Sequence, residues 1–405
     1  MQNQKLFSEL KLRASYGITG NNTIPNYGSI GLLGPANYVL GGSYVGGTAP
    51  TTFSNPNLGW EKNYELDIGL DMSILSDRIS LSADHYISHT KDLLLQVNIP
   101  SSLGFSTALQ NIGEVENKGW ELTLDTKNIE GSFQWNTHIN FDANKNTVLK
   151  LGPNGAPILV AGGAGVRNIT QIGSPIGSYY GYKVVGVYQS QSDIQSSPDD
   201  KLAPNPAPGD FKFADVNGDG VIDSNDRTTL GSYIPDFTYG ITNEFYYKNF
   251  DLRVLIQGVY GNEILNLTSR HMKNGEANFN SYAIETQRWR SSSQPGNGSI
   301  PRADRQSDLH GNNNRPSSFQ VEDGSYLRLR NVTLGYTLPG KLIRSTPFSH
   351  IRFYLSGSNL ITHTAYLGFN PEVNARPSEA LTAGEDYGAY PIPRIYTAGI
   401  NISFK

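Results

Sequence analysis

The chain of 405 residues contains no cysteine and few charged residues. Without cysteine it cannot form disulfides, iron–sulfur clusters, thiol nucleophiles or cysteine-based zinc sites. Charged side chains make up 17% of the chain, whereas an average soluble domain has roughly 25%. The formal net charge of −4 gives no electrostatic reason to expect a nucleic-acid partner.

Long hydrophobic runs are also missing. The most apolar stretch, 156–166, is interrupted by proline and glycine, and a membrane helix needs about 20 apolar residues. The first ten residues, MQNQKLFSEL, contain no apolar signal-peptide core, so we expect any export signal to lie upstream. A membrane-spanning β-barrel remains compatible with the mean hydropathy of −0.40, because its lipid-facing residues occupy only alternate positions.

The sequence is rich in glycine (43) and tyrosine (23), a composition that favours strands and turns. Apolar and polar residues alternate in about ten segments, which predicts about ten strands with one apolar and one polar face. The clearest example is 64–73. The other segments lie near 10–17, 79–90, 120–125, 133–142, 237–247, 250–260, 325–338, 350–361 and 396–404.

Short and long connections alternate along the chain. Tight turns are predicted near 76–77, 128–131, 248–249 and 339–347, and long connections over 18–59, 91–116, 143–236, 261–323 and 362–392. An antiparallel meander with this alternation has all its long loops at one end, as outer-membrane barrels do. Aromatic residues near the strand ends suit the two membrane interfaces; they are Tyr16, Trp60, Tyr64, Trp120, Tyr246, Tyr336 and Tyr396.

The predicted fold class is therefore all-β, an antiparallel up-and-down transmembrane β-barrel with long loops on one side. An open sheet of about ten strands would expose its edges and could not stand alone. We therefore expect the chain either to close a small barrel or to form part of a larger one.

Five segments, in this order, resemble the C-terminal part of the barrel of SusC/RagA-family TonB-dependent outer-membrane transporters. They are 55–71 (NPNLGWEKNYELDIGLD), 111–124 (NIGEVENKGWELTL), 325–339 (SYLRLRNVTLGYTLP), 358–373 (SNLITHTAYLGFNPEV) and 390–404 (YPIPRIYTAGINISF). The resemblance implies that residues 1–405 form the C-terminal half of a barrel of about 22 strands in the outer membrane of a Gram-negative cell. The plug domain, TonB box and signal peptide of that family are not found in this sequence, so we expect a partial sequence or a truncated gene.

The resemblance also implies a function and partners. The expected protein is a non-enzymatic nutrient importer, for oligosaccharides first and peptides second, surrounded by outer-membrane lipid and not expected to transport as this fragment alone. A SusD-like lipoprotein would cover the extracellular side, and the TonB complex would act through the absent N-terminal region. The final strand, with Tyr396, Ile400 and Phe404, resembles the signal read by the barrel-assembly machinery, although Lys405 follows the aromatic residue.

The sharpest local motif is the segment 215–226, DVNGDGVIDSND. It matches a calcium loop with oxygen ligands at positions 1, 3, 5, 7, 9 and 12 and glycine at position 6. The predicted Ca²⁺ ligands are Asp215, Asn217, Asp219, the Val221 carbonyl, Asp223 through water, and Asp226. Position 12 is aspartate where glutamate is usual, and flanking helices are missing. The alternative interpretation is a turn cluster without an ion.

Signals for catalysis are weak. The sequence has no nucleophile elbow, P-loop or H-E-x-x-H motif. His85 and His89 would share one face of a strand about 13 Å apart, too far for a common metal. The segment 281–290 predicts a short loop helix.

Aromatic residues in the long connections could stack on sugar rings or pack the loops together. They are Tyr38, Tyr44, Tyr179, Tyr180, Tyr233, Phe279, Tyr282, Trp289, Phe319, Tyr366, Phe369 and Tyr387.

Two other interpretations of the whole chain remain open at this point. The first is a secreted, calcium-dependent carbohydrate-binding β-sandwich, which requires apolar strand faces that meet in a dry interior. The second is an outer-membrane barrel enzyme that is closed by about ten strands.

Overall fold

The computed structural model describes residues 6–105, 107–152, 154–162, 165–273, 275, 279–377 and 379–405. Ten strands form one large antiparallel sheet in chain order, which confirms the predicted strand number and fold class. The strands are β1 Phe7–Asn21, β2 Glu61–Ile74, β3 Ile79–Asn98, β4 Thr107–Ile129, β5 Phe133–Lys150, β6 Phe237–Tyr247, β7 Phe250–Tyr260, β8 Tyr326–Thr337, β9 Phe348–Thr364 and β10 Ile395–Phe404.

The sheet is open at both ends. Strands β1 and β10 form its two edges, and no ladder joins them within the described residues. The ten strands therefore do not close a barrel by themselves, so the expectation of a small closed barrel is wrong for this chain. Because an unpaired edge exposes backbone N–H and C=O groups, both edges require further strands in a membrane.

Tight and long connections alternate as predicted, with one exception. The tight turns span 75–78, 130–132, 248–249 and 338–347, and the other end of the sheet has connections of 22–60, 99–106, 151–236, 261–325 and 365–394. This second end is called the long-loop end below.

The predicted long connection at 91–116 is wrong, because β3 and β4 extend far into that range and only 99–106 remains between them. A bulge between Thr90 and Leu93 shifts the pairing of β3 with β4, and Asp92 there has a positive φ of 58°. The bulge changes which residues share a face, so the alternation in the sequence is interrupted although the strand continues. Beyond it, Leu95 and Val97 are buried.

Short elements occupy the long connections, and the helix Gly340–Ile343 lies in the turn 338–347. The strands are Leu33–Pro35, Tyr38–Leu40, Ser43–Val45, Thr48–Pro50, Ile158–Gly162, Gly165–Thr170, Ser178–Tyr182, Val184–Val187, Asp199–Asp200, Phe211–Phe213, Val221–Ile222, Arg227–Gly231, Glu263–Asn266, Val321–Asp323 and Glu385–Asp386. The α-helices are α1 Gln191–Gln195, α2 Ser269–Met272 and α3 Gly340–Ile343. The 3₁₀ turns are Ser101–Leu103, Ser224–Asp226, Ala283–Gln287, Ser307–Leu309, Ser318–Gln320 and Ala380–Thr382.

The helix expected over 281–290 is only the 3₁₀ turn Ala283–Gln287. Its backbone bonds follow the i→i+3 pattern, since the N–H of Arg288 donates to the carbonyl of Glu285. Among the described residues, no helix is long and apolar enough to cross a membrane.

Two apolar clusters lie at the long-loop end of the molecule. The first lies where the long-loop ends of β3, β4 and β5 meet connection 151–236. It contains Leu95, Val97, Val115, Val148, Leu151, Ile158 and Ile176. The second lies among the loops and contains Tyr182, Val187, Phe211, Phe213 and Ile222. Because Trp289 and Phe319 pack against the second cluster, the connections 151–236 and 261–325 form one ordered unit, called the long-loop assembly below.

Candidate functional site

One face of the sheet carries an unbroken apolar row across nine strands. In register, the row contains Leu10, Met72, Leu81, Leu124, Ile139, Ile241, Ile256, Leu329 and Ile361. Residues of this face remain exposed, among them Leu12 at 79% and Ile361 at 61%. Such a wide exposed apolar surface is not found on a monomer in water, so this outward face is built to contact hydrocarbon.

The opposite, inward face is polar. Directly beside the apolar row, a second row in register contains Lys11, Asp71, Ser82, Thr123, Asn140, Gly240, Gln257, Arg328 and Thr362. The two rows differ by a single residue step because successive side chains of a strand point to opposite faces. A β-sandwich would press its apolar faces together, so the interpretation as a secreted β-sandwich is wrong.

Arginine side chains link neighbouring strands on the inward face. Arg13 of β1 donates through Nε to Asp71 of β2, at 2.8 Å, and its Nη1 lies 2.9 Å from Asp84 of β3. The path to Asp84 crosses Gly69, where a Cβ atom would lie 2.7 Å from the guanidinium carbon. The glycine therefore leaves the space that the ion pair requires.

Aromatic side chains of the outward face gather at two levels. Near the tight turns, the ring pairs are Trp135 with Phe245 at 5.8 Å, Phe250 with Tyr336 at 4.7 Å and Phe348 with Phe404 at 5.4 Å between centroids. Toward the long-loop end, the pairs are His85 with Trp120 at 4.5 Å and Phe237 with Tyr260 at 5.1 Å. Two aromatic levels with an apolar band between them are the pattern of a transmembrane barrel.

Comparison with protein families agrees with this geometry. The model of the family described as TonB dependent receptor-like, beta-barrel matches residues 5–360. The chain belongs to the TonB-dependent receptor-like β-barrel family. This places it in the outer membrane, with the apolar face toward lipid and the polar face toward the barrel interior.

The relatives that match this TonB-dependent receptor segment include SusC, and the solved structures include RagAB. TonB-dependent receptor P3 of Formosa agariphila is 39% identical over 97% of this chain and 39% of the relative. TonB-dependent receptor SusC of Bacteroides thetaiotaomicron is 28% identical over 100% of this chain and 38% of SusC. The solved structure of the RagAB peptide transporter matches with a TM-score of 0.80 and 25% identity, covering 100% of this chain and 42% of that chain. The chain thus spans about two fifths of the length of these relatives.

At the long-loop end of the receptor segment, buried ion pairs join distant connections. Arg167 donates through Nε to Glu385, at 2.5 Å, and Glu385 is 1% exposed. Two further buried pairs are Lys273 with Glu322 and Arg315 with Asp200, and the buried Arg328 of β8 pairs with the half-buried Glu372. Connection 365–394 is thereby attached both to connection 151–236 and to β8.

These pairs could not be found in the sequence. Arg167 and Glu385 are separated by 218 positions, and Arg315 and Asp200 by 115. No local spacing indicates which arginine meets which carboxylate, since partners so far apart are set only by the way the connections fold onto each other.

Of the predicted ligand-stacking aromatics, two are structural. Tyr179 is fully buried and its hydroxyl donates to the carbonyl of Gly384, at 2.8 Å. Tyr366 is buried and donates to Asp386. Burial raises the pKa of both hydroxyls above that of free tyrosine. These two side chains join loops and are unsuited to ligand stacking.

The other loop aromatics fall into two groups. Tyr180, Tyr233, Tyr282, Trp289 and Phe319 are partly buried within the long-loop assembly. The exposed group contains Tyr38 (69%), Tyr44 (76%), Phe279 (65%), Phe369 (71%) and Tyr387 (73%). Only the exposed group presents open ring faces to the outside of this chain.

The structure brings the first three predicted calcium ligands together in one turn. Asp215 accepts backbone N–H groups from Gly218 at 2.7 Å and from Gly220 at 2.8 Å. Asn217 accepts from the N–H of Asp219, at 3.0 Å. Gly218 and Gly220 have positive φ angles of 77° and 85°, a conformation that favours glycine.

The last two predicted side-chain ligands have other contacts. Asp226 is fully buried, and its two oxygens accept the N–H groups of Val216 and Asp223, each at 2.8 Å. Asp223 caps the 3₁₀ turn by accepting from Asn225. Within the described ranges, no three Asp, Glu or His side chains form a group that could hold a metal ion. The oxygen donor set still suits Ca²⁺, and an oxygen that accepts one N–H keeps a second lone pair.

Proposed function

We propose that this chain forms the C-terminal wall of a TonB-dependent importer of the SusC/RagA type, with the long-loop end outside the cell. The observation that carries the proposal is the pair of adjacent rows, apolar outward over nine strands and polar inward. A barrel closed by further strands would have a wet interior lined by the polar row, which serves as a conduit. The role of the chain is transport and not catalysis.

We propose an oligosaccharide as the transported substrate. Neutral amides and hydroxyls line the inward face: Thr123 donates to the exposed Asn140 at 3.3 Å, and Asn144 donates to Asn117 at 3.3 Å. Such groups can exchange hydrogen bonds with sugar hydroxyls without desolvating a charge. The exposed loop aromatics add faces for stacking on sugar rings. Peptides are the second candidate class, supported by the likeness to a peptide transporter.

Three partners follow from the same proposal. A SusD-like lipoprotein would close over the long-loop end and trap the substrate, and the TonB complex would supply the energy through a part of the receptor outside this chain. The free edge of β10, which ends in Phe404, would pair first with the barrel-assembly machinery and then with the first strand of the barrel.

A deletion strain tests the transport proposal. We expect a strain without the gene to lose growth on one class of oligosaccharide and to grow normally on the constituent monosaccharide. Complementation with the wild-type gene should restore growth. Loss of growth on peptides with normal growth on every oligosaccharide would replace the substrate proposal, and normal growth on both would contradict import.

We also propose that the loop 215–226 binds Ca²⁺ through Asp215, Asn217, Asp219 and the Val221 carbonyl, with Asp223 through water and Asp226 as the sixth position. Four carboxylates within twelve residues repel one another, and a divalent cation removes that repulsion. Binding would therefore draw the side chains together and order the loop. The site would be structural, because it lies in a long connection away from the polar row.

Calorimetric titration with CaCl₂ tests the metal site. We expect wild-type receptor to release or absorb heat at one site per chain and Asp219→Ala to lose that signal. Asp199→Ala is the matched control, since Asp199 is a nearby exposed carboxylate outside the loop. Identical heats for wild type and Asp219→Ala would contradict calcium binding here.

A further inference from the structure

On the outward face of the described strands, the charged residues lie toward the long-loop end. Four adjacent strands carry an exposed lysine on the long-loop side of the apolar row: Lys62 on β2, Lys91 on β3, Lys118 on β4 and Lys145 on β5. Each lies an even number of residues from a member of the apolar row, so all four share its face. Nearer the tight turns, the outward positions of the ten described strands contain no charged residue.

The lysines form two directly opposed pairs. Lys62 is the register partner of Lys91, and Lys118 is the register partner of Lys145. Directly opposite like charges on neighbouring strands repel each other and destabilise the sheet. One carboxylate, Glu116, lies between the pairs and already contacts Lys118 at 3.2 Å and His89 at 2.7 Å. The chain itself therefore leaves most of this positive charge uncompensated.

Along their strands, the lysines lie just beyond the aromatic level, on its long-loop side. On β4, Lys118 lies two residues from Trp120, toward the long-loop end, and on β2 Lys62 lies two residues from Tyr64 in the same direction. The Nζ of Lys91 lies 5.4 Å from the ring centre of Tyr64. Aromatic residues of barrels mark the boundary between hydrocarbon and headgroups. The four ammonium groups thus lie at headgroup depth on the side that faces lipid.

A cleft accompanies the second pair. Lys118 and Lys145 line a space of about 630 Å³ together with Trp120 and the loop residues Ile234 and Pro235, while Asp236 also contributes. The cleft has an aromatic and apolar wall beside two ammonium groups. This combination suits a ligand with an anionic head and a hydrocarbon tail.

We propose that Lys62, Lys91, Lys118 and Lys145 form a binding site for a phosphate-bearing lipid of the outer leaflet. The phosphate groups would lie between the opposed lysines. The attraction of one phosphate to two ammonium groups would then outweigh the repulsion between those two ammonium groups. The acyl chains would cover the apolar row below. The lipid site would fix the depth of this sheet in the membrane. It lies on the outward face and is therefore separate from any substrate site in the barrel interior.

Native mass spectrometry of the intact receptor that carries this chain tests the site. Diphosphoryl lipid A is the probe, and its dephosphorylated form is the chemical control. We expect tighter binding of the phosphorylated lipid, and a loss of about fivefold in affinity for each lysine removed in Lys118→Gln/Lys145→Gln. The matched control is Lys11→Gln/Lys127→Gln, which removes two positive charges from the inward face and should leave binding unchanged.

Thermal unfolding supplies an independent readout. In neutral detergent without anionic lipid, Lys118→Gln/Lys145→Gln should be at least as stable as wild type, because the opposed charges are gone. Added diphosphoryl lipid A should raise the Tm of wild type more than that of the variant. Equal binding of both lipids, an equal loss in the control variant, or displacement of the lipid by inorganic phosphate alone would overturn the proposal.

Discussion

The guanidinium of Arg352 on β9 reaches the carboxylate of Asp251 on β7 across the intervening strand β8, with Nε 2.9 Å from Oδ1. Gly335 of β8 lies beneath the bridge. Near the opposite edge of the sheet, Arg13 reaches Asp84 over Gly69 in the same manner. Each bridge connects three strands on the inward face, and each requires a strand position without a side chain.

Replacement of Gly335 by alanine should break the bridge. The added Cβ would overlap both the Arg352 guanidinium and the Asp251 carboxylate. We expect Gly335→Ala to lower the free energy of unfolding by about 1–3 kcal/mol, the range for overpacking, as measured by urea titration in lipid vesicles. Gly240→Ala is the control, because a Cβ there meets no atom within 4 Å. An equal effect of the two substitutions would contradict the role of Gly335.

The two faces of β4 should respond differently to the same residue. Leu124 belongs to the outward apolar row and its neighbour Thr123 to the inward polar row. We expect Leu124→Arg to destabilise the barrel by about 2–4 kcal/mol, since it places a cation in hydrocarbon. Thr123→Arg should have a much smaller effect. The measurement is the fraction of folded receptor in outer-membrane preparations, and similar losses for both variants would contradict the assignment of faces.

Removal of Arg167 should loosen the long-loop assembly. Glu385 is 1% exposed, and Arg376 at 3.9 Å is its other cation. We expect Arg167→Met to destabilise the assembly by about 3–5 kcal/mol, because it leaves a buried carboxylate short of a partner. Limited proteolysis should then cut connection 365–394 faster.

The double variant Arg167→Met/Glu385→Leu is the control for this effect. It removes the stranded charge together with its partner, so it should recover much of the protection against proteolysis. If the double variant is cut as fast as Arg167→Met, the effect does not come from an uncompensated carboxylate.

The part of the long-loop assembly that surrounds Glu285 should be more stable at acidic pH than at neutral pH. Burial raises the pKa of this carboxyl to about 7, against the partial opposing effect of Arg288. Unfolded glutamate loses its proton near pH 4.5, so the folded form keeps more protons between those values and stability falls as the pH rises through that window. The largest possible change is about 3 kcal/mol.

Proteolysis of connection 261–325 measures this dependence. We expect wild type to be cut more slowly at pH 5 than at pH 8, while Glu285→Gln, which cannot ionise, should show a much smaller difference. An identical pH dependence in both proteins would contradict the assignment to Glu285.

The strand pattern could be read from the sequence because alternation follows directly from strand geometry. The segment 64–73 alternates without interruption and lies within β2 as predicted. The prediction failed at 91–116, where the bulge near Asp92 changes the face that each residue occupies. The calcium ligands of 215–226 remain a prediction, and the structure brings the first three of them into one turn.

The sequence by itself determined that this chain forms one antiparallel sheet with a lipid-facing side and a wet side, because a period of two places every second residue on the same face. Only the tertiary structure decided which strands oppose Lys62 to Lys91 and Lys118 to Lys145, and which loops bring Arg167 to Glu385. Those contacts depend on register and on loop packing between residues far apart in the chain, and neither leaves a local pattern in the order of amino acids.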